Sequence, residues 1–120
     1  MKNLEIKNSN STPYLKLTDI ELTIIGRSFP ENALDFYKPI INIINEIDKF
    51  EQFTINLCFE YLNTSSNKAI VYIIKNIADK TKNEVKLIWS IDEDDESMVE
   101  LYENYKSIIN NVNFEIKIIK

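Results

Sequence analysis

The sequence predicts a two-layer α/β domain, a mixed sheet with about three helices packed mainly on one face. Three observations predict it. Strand-period and helix-period segments take turns along most of the chain, so the later strands are joined through helices and should run largely parallel. Near the start, two strand patterns meet at Asp19, which suggests an antiparallel hairpin. The strands alternate apolar with polar residues instead of running continuously apolar, so one sheet face should stay partly wet. With 120 residues and no repeat, linker or low-complexity tract, residues 1–120 form a single domain.

Each element has its own signal. Leu4 and Ile6 alternate with Glu5 and Lys7, and a polar turn from Asn8 to Pro13 follows. Leu15 and Leu17 flank Lys16, and Ile20, Leu22 and Ile24 alternate with Glu21, Thr23 and Ile25. Phe36, Ile40, Ile43 and Ile47 form one helical stripe with Tyr37, Ile41 and Ile44 beside it, and Pro39 should kink or divide that helix. The clearest strand has Phe53, Ile55, Leu57, Phe59 and Tyr61 alternating with Thr54, Asn56, Cys58 and Glu60. A second helix carries Ile70, Ile73, Ile74 and Ile77. Val85, Leu87, Trp89 and Ile91 mark the next strand. Met98, Leu101, Tyr102, Tyr105, Ile108 and Ile109 mark the third helix, and Phe114, Ile116 and Ile118 the last strand.

Composition removes most small-domain enzymes. With no histidine, a Ser-His-Asp triad, a histidine metal site and a near-neutral histidine switch are excluded. A single cysteine, Cys58, excludes an internal disulfide and a multi-cysteine zinc site, and fits a reducing compartment. A single glycine, Gly26, excludes a Walker A loop and a dinucleotide fingerprint. The net charge of −5 is uneven, because residues 92–103 hold seven acids (Asp92, Glu93, Asp94, Asp95, Glu96, Glu100, Glu103) and no base. A net-acidic chain without a Lys/Arg cluster is a poor nucleic-acid binder. The N-terminus lacks the apolar run of a signal peptide, and no stretch approaches a membrane span, so a cytoplasmic protein without membrane insertion is expected.

Three loops carry the remaining chemistry. Asn63-Thr64-Ser65-Ser66-Asn67-Lys68 joins the clearest strand to the second helix. Its plain reading is an N-cap; its sharper reading is three hydroxyls at the positive end of a helix, where a phosphate is stabilised. Lys68 opposes the dipole there, which makes sense beside an anion. The acidic run Asp92 to Glu96 caps and solubilises the third helix, docks a basic partner, or supplies hard-cation ligands. Gly26-Arg27-Ser28-Phe29-Pro30-Glu31-Asn32 punctuates a strand and a helix, with Pro30 at the helix start and Glu31 in its first turn. Cys58 and Trp89 read as packed residues.

Gly-Arg-Ser-Phe-Pro-Glu-Asn at 26–32, Tyr-Leu-Asn-Thr-Ser-Ser-Asn-Lys-Ala at 61–69 and Trp-Ser-Ile-Asp-Glu-Asp-Asp-Glu at 89–96, together with Ser-Thr-Pro at 11–13, resemble the SiaC family of bacterial regulatory phosphoproteins over nearly the whole chain. The resemblance implies a STAS-like fold and a switch set by a dedicated Ser/Thr kinase and a PP2C-type phosphatase. It places the acceptor at Thr64, with Ser65 second. Asn63, Ser65, Ser66, Lys68, Arg27, Asp94 and Asp95 become kinase- or partner-contact candidates. In the best-known branch the unphosphorylated protein activates a diguanylate cyclase, controlling c-di-GMP and biofilm formation. The expected function is therefore a non-enzymatic regulatory phosphoprotein with no cofactor and no metal. Two rivals stand beside it: a constitutive interaction scaffold, and a metal-dependent hydrolase using Asp92, Asp94 and Asp95.

Overall fold

The structure, a computed structural model, describes residues 3–120; Met1 and Lys2, part of the N-terminal stretch read above, lie outside it. Along the chain come β1 (Leu4–Ile6), β2 (Tyr14–Leu17), β3 (Glu21–Ser28), α1 (Ala33–Glu46), β4 (Phe50–Leu62), α2 (Thr64–Lys80), β5 (Thr81–Asp92), α3 (Glu96–Ile108) and β6 (Asn113–Ile119). They form one six-stranded sheet in the order β1-β2-β3-β4-β5-β6. The first two pairings are antiparallel and the last three parallel, so the mixed sheet expected from the sequence is present. Neighbours in sequence are neighbours in the sheet. Right-handed crossovers between such strands put every connecting helix on the same face. The fold is two layers.

The core lies between that face and the helices. Leu22 and Ile24 of β3, Phe53, Ile55 and Leu57 of β4, and Val85, Leu87 and Trp89 of β5 are buried against Ile70, Ile73, Ile74 and Ile77 of α2. Trp89 is enclosed by the ring edges of Phe59, Tyr102 and Tyr105, with centroids 6.1, 6.2 and 4.8 Å away. On the opposite face Asn56, Cys58, Ile88 and Ser90 are only half-buried, the wet side that the alternation implies.

Several local expectations change. α1 is one helix from Ala33 to Glu46 that passes through Pro39 undivided. Its deepest stripe is Ala33, Tyr37, Ile40 and Ile44, with Phe36, Ile43 and Ile47 at the margin. α1 also starts later than Pro30 suggests, because the Asn32 side chain accepts from the Asp35 N–H at 3.2 Å and makes Asn32 the cap. Pro30 is a buried loop residue and Glu31 precedes the cap. Tyr61 does not continue the buried side of β4. The β3–β4 register slips at Gly26/Arg27, so Gly26 pairs with Phe59 and Arg27 with Tyr61. A one-residue bulge flips the side chains beyond it, and Leu62 turns inward in place of Tyr61, which is exposed. Gly26, at φ +123°, supplies a backbone conformation that L side chains rarely adopt.

α1 ends without a basic residue in its last turn. Lys80 at the end of α2 supplies the charge, donating from Nζ to the Ile44 and Ile47 carbonyls at 2.7 and 2.8 Å.

Candidate functional site

The parallel strands β3, β4 and β5 lie side by side, so their C-terminal ends share one edge of the sheet. That edge brings the three loops singled out in the sequence together: Arg27 and Ser28 end β3, Asn63 to Ser66 follow β4, and the acids from Asp92 follow β5. In a parallel sheet this is the end where the loops are free to carry function.

The middle loop is built by a cap. Asn63 has extended backbone, and its Oδ1 accepts from the Ser66 N–H at 2.9 Å and from the Ser65 hydroxyl at 3.3 Å. Its own N–H donates to the Ser28 carbonyl at 2.9 Å, tying the turn to β3. Asn63 is thus the cap and Thr64 the first helical residue, leaving the α2 amides of Thr64 and Ser65 at the open, positive end of the dipole. Thr64 and Ser65 are exposed.

Ser66, expected among the contact residues, points the other way and is fully buried. Its Oγ accepts from Ser28 Oγ at 2.8 Å, and Ser28 Oγ lies 2.7 Å from the Tyr37 hydroxyl. A serine has one proton to give, and Ser28 gives it to Ser66, so Tyr37 must be the donor to Ser28. This chain of hydroxyls joins α1, β3 and the first turn of α2 inside the core. Burial pushes the Tyr37 phenol up to about 12, so the chain stays neutral. Asn67 is fixed from α3: its Oδ1 accepts from the Tyr105 hydroxyl at 2.5 Å.

On one flank of the loop Arg27 is exposed over the Phe29 ring, 5.2 Å from its centroid, and Phe29 meets Tyr61 edge-on at 5.7 Å. On the other flank an open groove of about 350 Å³ runs between the starts of α1 and α2, lined by Asn32, Leu34, Ser65, Lys68, Ala69 and Tyr72. Leu34 is 64% exposed and Tyr72 50% exposed. Sequence reasoning missed Leu34, Tyr72 and the outward Tyr61. For the first two the signal was present, a large apolar residue lying off its helix's buried stripe.

The acidic loop resolves into two roles. Asp95 is half-buried and caps α3, accepting from the Met98 N–H at 3.1 Å and the Ser97 hydroxyl at 2.8 Å. Asp92 accepts from the Asp94 N–H at 3.0 Å. Glu93, Asp94 and Glu96 are exposed. Asp92, Asp94 and Asp95 rim a shallow hollow with Cys58, Glu60 and Ser90, but among the described residues no three acid or thiol side chains converge as metal ligands. Burial, and then the nearby Glu60 carboxylate, raise the Cys58 thiol, the opposite of an activated nucleophile.

A family model described as SiaC family regulatory phosphoprotein matches residues 6–119. Among solved structures, SiaC of Pseudomonas aeruginosa superposes with a TM-score of 0.85 at 26% identity, covering 99% of this chain and all of that one. The structure of the diguanylate cyclase SiaD in complex with its activator SiaC, from the same organism, gives 0.84 at 26% identity over 97% of this chain and 99% of the other. Apo-SiaC from that organism gives 0.77 at 25% identity over 98% and 99%. No curated protein matches the chain by sequence.

Proposed function

The chain belongs to the SiaC family of regulatory phosphoproteins, and on that footing we propose that it is a non-enzymatic switch whose binding to an effector is set by phosphorylation of Thr64. The observation that carries this reading is the division of labour within the loop. Asn63 holds the turn, Ser66 is locked in the core, and the hydroxyls of Thr64 and Ser65 face solvent at a helix N-terminus. Thr64 is the acceptor and Ser65 the second choice.

A phosphate on Thr64 adds about −1.5 to −2 charges at neutral pH. It would sit at the start of α2, where free amides and the dipole favour an anion, so the modified protein keeps its fold. The consequence falls on whatever docks there. An effector seated over the loop and the Leu34–Tyr72 groove is lost through desolvation of the new charge. The effector is a diguanylate cyclase, supported by the SiaC–SiaD complex to which the chain is similar. The kinase and the PP2C-type phosphatase act in the cytoplasm, a setting supported by the unpaired Cys58.

Arg27, Lys68 and Asp94 flank the loop as contacts for kinase or effector, while Asp95 contributes mainly by capping α3. The test is a phosphopeptide map after reaction with the cognate kinase. Label on Thr64 is expected, label on Ser65 moves the acceptor by one residue, and an unlabelled 61–69 peptide removes the switch.

A further inference from the structure

The two edges of the sheet are unlike. β1 closes one side with three residues, whereas β6 closes the other with seven, Asn-Phe-Glu-Ile-Lys-Ile-Ile. A long apolar edge strand is a template for another strand. The Glu93 N–H donates to the Ile119 carbonyl at 3.0 Å, so the odd-numbered residues of β6 turn their amides towards β5. Backbone groups alternate along a strand. Those of Phe114, Ile116 and Ile118 therefore point outward from the sheet.

The side chains repeat the theme. Phe114, Ile116 and Ile118 pair in register with Leu87, Trp89 and Ile91, which places them on the helix-covered face. Phe114 packs on Tyr102 with centroids 6.0 Å apart, but beyond it Ile116 is 37% and Ile118 49% exposed. The other face of the strand presents Glu115 and Lys117, both exposed.

We propose that β6 is a homodimer interface, pairing antiparallel with β6 of a second copy about a two-fold axis through Ile116. In that register Ile116 faces its own counterpart, Phe114 faces Ile118, and Glu115 faces Lys117. The outward backbone groups of Phe114, Ile116 and Ile118 fall into hydrogen-bonded pairs, each exchanging both N–H···O bonds. Glu115 and Lys117 then occupy the non-hydrogen-bonded pairs, where side chains are closest and opposite charges gain most. The exposed isoleucines meet apolar partners on the helix face.

Neighbouring registers fail for stated reasons. Sliding by two residues sets Glu115 against Glu115, or Lys117 against Lys117. Sliding by one joins the helix face of one copy to the wet face of the other. The charge order along β6 thus selects a second copy of this chain, in one register, over an arbitrary strand. The exposed Lys86–Glu115 pair at 4.0 Å is too weakly held to compete. The proposal is independent of the phosphorylation switch, whose loop lies at the ends of β3 and β4.

Sedimentation equilibrium tests it. The wild-type protein should approach twice the 14.1 kDa chain mass as concentration rises through the micromolar range. Lys117→Glu and Glu115→Lys each turn two attractive cross-strand pairs into two repulsive ones, and each should weaken the dimer by about tenfold. Mixed one to one, the two variants regain both attractive pairs and should form a heterodimer at least as stable as the wild type. Matching melting temperatures at low concentration establish that each variant is folded. A wild-type monomer throughout, dimers indifferent to either reversal, or a mixture no tighter than its components would overturn the proposal. A monomer that gains mass only with the effector present would assign the edge to that partner instead.

Discussion

Ser28 Oγ and Ser66 Oγ, 38 residues apart in sequence, share a fully buried hydrogen bond of 2.8 Å. The bond ties the end of β3 to the first turn of α2, directly beneath the exposed Thr64 and Ser65. With the Asn63 cap above it, this bond holds the loop in one geometry.

Ser28 occupies the middle of the chain and should cost most to remove. Ser28→Ala leaves both the Tyr37 phenol and the Ser66 hydroxyl without this partner, a loss of about 2–3 kcal/mol. Tyr37→Phe and Ser66→Ala each leave one bond of the chain intact and should cost about 1 kcal/mol. Urea unfolding ranks the three, and equal losses would show that the hydroxyls act independently. Ser66→Ala should also leave phosphate incorporation unchanged.

Alkaline pH offers a second handle on the same chain. Tyr37, raised to about 12, and Tyr105, raised further, are both shifted chiefly by burial. A folded-state pKa above the unfolded value of about 10 gives stability that is complete below pH 10 and falls as pH climbs towards the folded value. Each tyrosine adds a slope of up to about 1.4 kcal/mol per pH unit between about pH 10 and 12. Tyr37→Phe should make the decline shallower. An unaltered slope would mean that Tyr37 ionises as it does in the unfolded chain.

Gly26 is the hinge of the β3–β4 bulge. A Cβ there would meet nothing nearer than the Pro13 Cα at 3.7 Å, so space is not the obstacle; φ of +123° is. Gly26→Ala should cost about 1–3 kcal/mol by thermal or urea unfolding. A neutral substitution would mean that the bulge relaxes.

The fold was legible in the sequence because its strands alternate cleanly and each buries one face. The Ile70–Ile77 stripe, the parallel pairing and the helix-covered face all follow from that. What escaped was decided by single hydrogen bonds and one inserted residue. The bulge opposite Gly26 turns Tyr61 outward, and no period-two count contains it. Asn32, not Pro30, starts α1 because a side-chain cap outweighs a favourable φ. Ser66 reads as one of three equivalent hydroxyls, and only the packing of Tyr37 and Ser28 beneath it separates a structural serine from its neighbours. Proximity of the three loops was not read from the sequence, since strand order is a long-range property.

The acidic segment predicts a separation of kinetics from stability. Glu93→Gln, Asp94→Asn and Glu96→Gln together should leave unfolding within about 0.5 kcal/mol of wild type, since all three are exposed. They should slow association with a basic partner surface at low salt, an effect that fades as salt rises. Asp95→Ala should instead cost about 1 kcal/mol by removing the α3 cap. An on-rate unchanged by the triple substitution at low salt would reduce the segment to solubility and capping.

The central claim is that one hydroxyl governs partner binding, and a single comparison tests it. Wild type and Thr64→Ala are each treated with the kinase, and their affinities for the proposed cyclase partner are measured by calorimetry. Because Asn63 supplies the cap, Thr64→Ala should fold with a loss under about 0.5 kcal/mol. The account predicts that treated wild type loses at least about tenfold in affinity, equivalent to about 1.4 kcal/mol, while treated Thr64→Ala binds like untreated wild type. Equal binding by both treated proteins, with Thr64 shown to be phosphorylated in the wild type, would contradict it.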